Sequence, residues 1–173
     1  MQTVKIERLL HALIVLLMGV FVWVIYDSFH ERIVVVGDSA PGFSITTDGG
    51  RLMTESSFGG KLLVLNFWAS WCQPCIDEIP SLDQFQKTMA GKGVVVLAIS
   101  VDKDEKQYRN FLARAKVSFL TARDPEAKIN REYGTLKFPE TYIVDARGAV
   151  RRKLINSQNW ISPEMIQDVQ SLL

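Results

Sequence analysis

A long apolar run near the N-terminus is followed by a region in which short apolar segments alternate with polar turns. Residues 9–26 read LLHALIVLLMGVFVWVIY, a run that is apolar except for His11 and Gly19. Its length is at the lower end of the roughly 17–25 residues with which a helix crosses a bilayer. No polar face appears at helical spacing, which argues against a core helix of a globular domain. The run therefore predicts one transmembrane helix.

The charges before this run predict its orientation. Lys5 and Arg8 precede it, so the positive-inside rule places the N-terminus in the cytoplasm and the rest of the chain in the extracytoplasmic (periplasmic) space. A cleaved signal peptide is the alternative, but its apolar region is usually about 7–15 residues long and ends in small residues. Here the run ends VWVIYDSF, without such a cleavage site.

These features divide the chain into four predicted parts. They are a cytoplasmic N-terminus at residues 1–8, a transmembrane signal-anchor helix at 9–29, a linker at 30–36 and a folded domain at 37–173. The anchored protein and the cleaved protein would both export the folded domain, so the predicted compartment does not depend on which alternative holds.

The exported region alternates the patterns of strands and helices. Residues 62–68 and 94–101 are almost continuously apolar, which is typical of strands covered on both faces. The turn signal DGG predicts a hairpin between residues 43–47 and 51–53. Further strands are predicted at residues 33–36, 119–121, 141–144 and 150–155, and helices at 74–90, 105–115, 127–133 and 163–172. Ser162 is the predicted N-cap of the last helix. This order predicts an α/β sheet that is parallel in its first half and antiparallel at one edge.

Composition limits the chemistry that the domain can perform. The chain has 173 residues, of which 47% are hydrophobic, and a net charge of +1. It offers no large basic field, so we do not expect electrostatic binding to nucleic acid. The only histidines are His11 and His30, and the only cysteines are Cys72 and Cys75.

Two cysteines three positions apart could form half a metal site, a structural disulfide or a redox pair. A structural zinc ion takes four nitrogen or sulfur ligands, and the region after residue 37 supplies two thiols and no histidine. Carboxylates or a second chain would have to complete such a site, so we expect no metal. A copper site and a Cys–His hydrolase lack imidazole for the same reason. A structural disulfide would close too short a loop to restrain the chain much.

The redox use accounts for every local feature of the segment WCQPC. Cys72 would lie at a helix N-terminus, where unpaired N–H groups and the helix dipole stabilise a thiolate. The thiolate is the attacking species in disulfide exchange. Cys75 would lie one turn deeper, close enough to displace a mixed disulfide. Pro74 would shape the first turn, where its missing N–H loses no partner.

The stretch VLNFWASWCQPC resembles the active-site strand and helix of the thioredoxin family. The likeness is greatest to the exported, membrane-anchored TlpA-like or ResA-like branch, which includes reductants of cytochrome c maturation. GDSAPGF, GGKLLVLNFWASWCQPC and GTLKFPETYIVD all recur in that branch at this spacing. The resemblance covers residues 37–173. It implies a thioredoxin-like fold with an N-terminal hairpin extension, preceded by the transmembrane helix.

The resemblance also implies roles for residues near the cysteines. Cys72 corresponds to the nucleophile and Cys75 to the buried resolving partner, and their redox-active disulfide takes the place of a separate cofactor. Trp71 corresponds to the tryptophan beside the active site, and we count it with Pro74 among the residues that a substrate meets.

A second segment, FPET, is expected to face the cysteines. Pro139 corresponds to the family's cis-proline, although cis bonds are only roughly 5–6% of X–Pro bonds in folded proteins. A cis bond would leave the backbone of Phe138 open to pair with an incoming peptide strand. Both residues are therefore predicted to contact substrate.

The proton acceptor for the buried cysteine is the least certain part of the predicted site. Cytoplasmic thioredoxins carry a buried Asp where this chain has Asn66, and an Asn cannot take the proton of Cys75. Glu78 is one helical turn beyond Cys75 on the same face, and burial would raise its pKa. Glu140, after the predicted cis-proline, is the second candidate.

The resemblance and the anchor together predict an exported thiol–disulfide oxidoreductase that reduces protein disulfides, such as those of apocytochrome c. A membrane electron donor would reduce it again. An oxidant or isomerase of exported disulfides is an alternative, since reduction potentials of such dithiols span a wide range. A peroxiredoxin-like peroxidase shares GDSAPGF, but the sequence lacks the Pro-x-x-x-Thr-x-x-Cys setting of its nucleophile. A non-catalytic interaction module is a fourth possibility.

Overall fold

The structure is a computed structural model that describes residues 2–28 and 33–173, in two separate units that divide after residue 32. The first unit contains α1 (Gln2–Ser28). Its segment Ile6–Ile25 has a mean hydropathy of 2.3 and is long and apolar enough to cross a membrane. Residues 29–32, at the junction of the predicted anchor and linker, lie outside the described residues. The boundaries of those parts therefore stay predictions.

The second unit is built on a five-stranded sheet. Its strands are β3 (Leu62–Trp68), β4 (Val94–Ser100), β5 (Leu120–Arg123), β6 (Glu140–Val144) and β7 (Val150–Ile155). They lie in the order β5–β4–β3–β6–β7. The first three strands in sequence are parallel, and β6 and β7 are antiparallel to their neighbours. This confirms the predicted α/β sheet.

Helices cover both faces of this sheet. They are α2 (Gln73–Met89), α3 (Glu105–Ala115), α4 (Lys128–Glu132) and α5 (Pro163–Gln170). All seven residues of β3 are buried, because its alternate side chains enter two separate cores. Val64 and Trp68 pack with α2, α3 and α5 on one face, whereas Leu65 and Phe67 pack with α4 on the other. As predicted, Ser162 caps α5, with its hydroxyl accepting from the Met165 N–H at 3.2 Å.

The predicted hairpin is present, as β1 (Ser44–Thr46) paired antiparallel with β2 (Leu52–Thr54). The strand predicted at residues 33–36 is wrong, since this stretch is irregular chain entering a turn. Val34 alone of these four residues is buried, at 1% exposure. The Asp38 side chain accepts from the Val35 N–H at 3.0 Å and holds the turn. This apolar stretch therefore buries the Val34 side chain but does not pair with another strand.

Candidate active site

The two cysteines lie at the junction between the central strand β3 and helix α2. A disulfide joins them, and their Cα atoms are 5.3 Å apart. Cys72 is the N-cap of α2, and its Sγ accepts from the Cys75 N–H at 3.3 Å. Cys72 is 8% exposed and Cys75 only 1%. Cys72 is therefore the more exposed residue of the pair, and its role as the nucleophile stays a prediction. Among the described residues, no group of three or more His, Cys, Asp or Glu side chains is placed to hold a metal ion.

Glu78 is buried one turn beyond Cys75, with 3% of its surface exposed. Its Oε1 accepts from Asn66 Nδ2 at 2.8 Å. Its Oε2 accepts from the Gln158 N–H at 3.0 Å and from Trp160 Nε1 at 3.3 Å. Burial raises the pKa of the Glu78 carboxyl, and the three donors only partly offset that rise by stabilising the charged form.

Asn66 holds this carboxylate in place without titrating itself. Its amide Nδ2 also donates to the Thr141 hydroxyl at 2.9 Å, so it links Glu78 on α2 to β6. The sequence analysis missed Thr141, Gln158 and Trp160, which lie about 75 to 82 positions from their partners in the chain. One signal was available, because a buried Trp usually needs an acceptor for its N–H.

The raised pKa of Glu78 predicts how stability depends on pH. Between the ordinary Glu value of 4.5 and the raised native value, the native state holds a proton that the unfolded chain has lost. We expect stability to fall as pH rises through this window and to level off above the native pKa. Glu78→Gln should remove this dependence of stability on pH. It should also lower stability by the same amount at every pH, because the NH₂ group of the Gln side chain faces one of the three donors. The urea midpoints of unfolding of the parent protein and of Glu78→Gln, measured from acid to neutral pH, check this. A difference between the two midpoints that does not change with pH would contradict it.

The predicted proline directly follows one member of an aromatic pair. The Phe138–Pro139 peptide bond is cis, as the resemblance implied. Trp71 is 60% exposed, and its ring meets the half-buried ring of Phe138 edge-on, with centroids 6.1 Å apart. Pro74 is exposed in the first turn of α2. Trp71 and Pro74 thus expose apolar surface beside the cysteines in the chain, whereas Pro139 itself is buried.

Glu140 lies on the other face of the sheet from Glu78. In the β3–β6 ladder, Thr141 pairs with Asn66 and Glu140 with Phe67, and successive strand residues point to opposite faces. The structure thus separates the two predicted proton acceptors. Sequence spacing could not show this, because it does not give the register of β6 against β3.

The Glu140 side chain is 3% exposed and is bound in a polar cluster of its own. It forms an ion pair with Lys153 at 3.0 Å and accepts from the Tyr142 and Thr135 hydroxyls. Lys153 Nζ also donates to the Val34 carbonyl at 3.1 Å. Burial, together with the hydrogen bond to Glu140, raises the pKa of Tyr142. This cluster is built around Glu140, the residue that follows Pro139.

Comparison with known proteins finds the AhpC/TSA family over residues 36–153. The thioredoxin-like protein YneN of Bacillus subtilis is 35% identical over 143 residues, which cover 80% of this chain and 84% of that protein. The thiol-disulfide oxidoreductase ResA of Bacillus thuringiensis is 30% identical over 158 residues, covering 89% and 91%. A crystal structure from Chlorobium tepidum, provisionally assigned as the thiol:disulfide interchange protein DsbE, is 29% identical, with a TM-score of 0.75 over 80% of this chain and 98% of that one. These likenesses confirm the thioredoxin-like fold.

Proposed function

This chain belongs to the AhpC/TSA family and is a ResA-like thiol–disulfide oxidoreductase, and we propose that it acts as a reductant of protein disulfides outside the cytoplasm. The disulfide-bonded cysteine pair at the start of α2, with Cys72 the more exposed of the two residues, is the observation that carries the proposal. The apolar helix α1 supports a membrane anchor for the catalytic domain. The proposed mechanism needs no redox group besides the cysteine pair. It uses no metal and no nucleic acid.

The exchange proceeds in two steps, each of which is the attack of a thiolate on a disulfide. The Cys72 thiolate attacks a substrate disulfide, forms a mixed disulfide and releases the first substrate sulfur as a thiolate. The Cys75 thiolate then attacks Cys72 and releases the second substrate sulfur. The substrate gains two electrons, and the protein is left with the Cys72–Cys75 disulfide that the structure contains. A membrane electron donor must reduce this disulfide before the next cycle.

Glu78 is our candidate for the group that takes the proton from Cys75. Residues three apart on a helix are neighbours on its surface, and both side chains are buried. A buried carboxylate with a raised pKa is a better base towards a thiol than an ordinary surface Glu. Glu140 is the weaker candidate because its carboxylate is paired with Lys153 on the opposite face.

The substrate class that we propose is the oxidised thiols of exported proteins, with apocytochrome c as the leading example. The exposed Trp71 ring and the half-buried Phe138 ring that it contacts offer a surface on which an extended polypeptide could lie beside Cys72, while the Pro139 side chain is buried. The relatives named thiol-disulfide oxidoreductase support the chemistry, and the resemblance to the cytochrome c maturation branch supports the substrate.

A trapping experiment tests this function. In full-length protein with Cys75→Ser, the mixed disulfide at Cys72 cannot be resolved, so substrates should accumulate as covalent adducts that reductant releases. Mass spectrometry of the released proteins identifies them, and a variant that also carries Cys72→Ser should capture none. Absence of adducts would refute the exchange mechanism. Adducts without apocytochrome c would refute only that substrate.

The direction of electron flow needs a separate measurement. A reductant should have a reduction potential well below that of strong oxidants, which lie at about −120 mV. A value near that end would favour the oxidant or isomerase alternative. Rapid turnover of peroxide would favour the peroxidase alternative, whose motif is missing from this sequence.

A further inference from the structure

The chain between the end of β3 and the start of α2 is held from the side by a buried carboxylate. Ser70 donates two hydrogen bonds to Asp102, from its backbone N–H to Oδ2 at 2.8 Å and from its hydroxyl to Oδ1 at 2.8 Å. Asp102 lies two residues beyond the end of β4 and is 1% exposed. This contact joins the loop that leads to Cys72 to the neighbouring strand.

The Asp102 carboxylate is satisfied by neutral donors. The Ser100 hydroxyl donates to Oδ2 at 2.5 Å, and the Asp102 N–H donates back to that hydroxyl at 3.0 Å. In the part of the chain that the structure describes, no Lys or Arg forms an ion pair with the Asp102 side chain. Burying a carboxylate is costly unless hydrogen bonds compensate, so three donors fixed on one carboxylate resist displacement of the loop.

We propose that Asp102 is a positioning residue for disulfide exchange, which holds Cys72 at the N-terminus of α2 by fixing Ser70 two residues before it. The proposal rests on the proposed function, because it concerns the rate at which Cys72 attacks a disulfide. The Cys72 N–H donates to the Ala69 carbonyl at 3.1 Å, so residues 69–72 form one tight turn. A displacement of Ser70 would therefore displace Cys72 as well. A misplacement of about 1 Å at reacting atoms can lower a rate roughly 100-fold.

A second aspartate, which is exposed and also forms an ion pair with Arg109 at 3.9 Å, offers a control for the loss of hydroxyl hydrogen bonds. Asp48 accepts hydrogen bonds from the Tyr108 hydroxyl at 2.6 Å and from the Thr121 hydroxyl at 2.7 Å. It lies in the turn between β1 and β2, and its side-chain bonds do not involve residues 69–75. Replacing either aspartate removes hydroxyl hydrogen bonds from the domain, but only Asp102 binds the loop before Cys72.

The test measures the second-order rate constant with which the reduced full-length protein, in lipid nanodiscs, attacks a protein disulfide and a small aromatic disulfide. Asp102→Ala should lower the rate about tenfold, and Ser70→Ala about threefold. Asp102→Asn keeps an acceptor for the Ser70 N–H, and Ser70→Thr keeps the hydroxyl, so both should stay within about twofold of the parent rate. Asp48→Ala should lose thermal stability but keep the parent rate.

Two results would overturn the proposal. One is equal slowing by Asp102→Ala and Asp48→Ala at equal loss of thermal stability, which would leave Asp102 only a structural role. The other is a parental rate in Ser70→Ala. If Asp102→Ala does not fold, the rate constants of Ser70→Ala and Ser70→Thr are compared instead, and the proposal requires Ser70→Ala to be the slower of the two. A Cys72→Ser protein that still reduces both disulfides would instead refute the proposed function, so the two failures are distinguishable.

Discussion

Replacing Glu78 with Gln should slow the attack of Cys75 on a mixed disulfide at Cys72 about 100-fold, which is the lower end of what a positioned general base contributes. Cys75 is 1% exposed, so water cannot readily take its proton. The attack requires the thiolate. Glu78 lies one turn further along the same helix, and its burial and raised pKa suit it to accept that proton.

The sign of the pH dependence follows from the same pKa. Only the ionised carboxylate can accept a proton, so the rate of resolution should rise with pH through the raised pKa of Glu78 and then level off. Glu78→Gln should remove this rise. Stopped-flow measurement of the second step, started from a preformed mixed disulfide at Cys72, separates resolution from the first attack.

Glu140→Gln is the matched control for this experiment. Both carboxylates are 3% exposed, and the substitution is the same. Because Glu140 lies on the far face of the sheet, its replacement should leave the rate of resolution and its pH profile within about twofold of the parent, the size expected when a group is not in proton-transfer reach. Similar slowing in both variants would contradict the assignment of Glu78.

The sequence predicted the central elements well because their patterns are local. The apolar run of β3 and the spacing of Tyr108 and Phe111 on α3 each occupy one continuous segment, and the structure has both elements with the predicted bounds. Residues 33–36 have the same apolar composition but form no strand. Among the described backbone hydrogen bonds of this stretch, the one that reaches beyond the local turn runs from the Val34 N–H to the Tyr133 carbonyl, and one such bond does not make a ladder.

The chemistry of the site was predictable only where residues are close in sequence. WCQPC brings Cys72 and Cys75 together within one helical turn, so no tertiary information was needed. The surroundings of Glu78 depend on Trp160, which arrives from a distant loop. The separation of Glu78 from Glu140 depends on strand register, which the alternation of apolar residues leaves open unless the partner strand is known.

Replacing Lys153 with Met should destabilise the catalytic domain by about 3–5 kcal/mol, the usual cost of removing one partner from a buried ion pair. The Glu140 side chain is 3% exposed and that of Lys153 14%, so the carboxylate left behind cannot be solvated by water. The Val34 carbonyl would also lose its donor, and the Tyr142 ring the cation that lies 5.1 Å from its centroid. Urea denaturation of the full-length protein in detergent, followed by Trp fluorescence, measures the change.

A neighbour on the same strand and a double substitution make this test specific. Arg152 forms an ion pair with Asp168 in which both side chains are 37% exposed, so Arg152→Met should cost no more than about 1 kcal/mol. Adding Glu140→Gln to Lys153→Met removes the orphaned charge and should restore much of the lost stability, giving a large coupling energy between the two positions. Independent, additive losses would mean that the pair stabilises the domain only through packing. The position of β6, which begins directly after Pro139, would then depend on the apolar core alone.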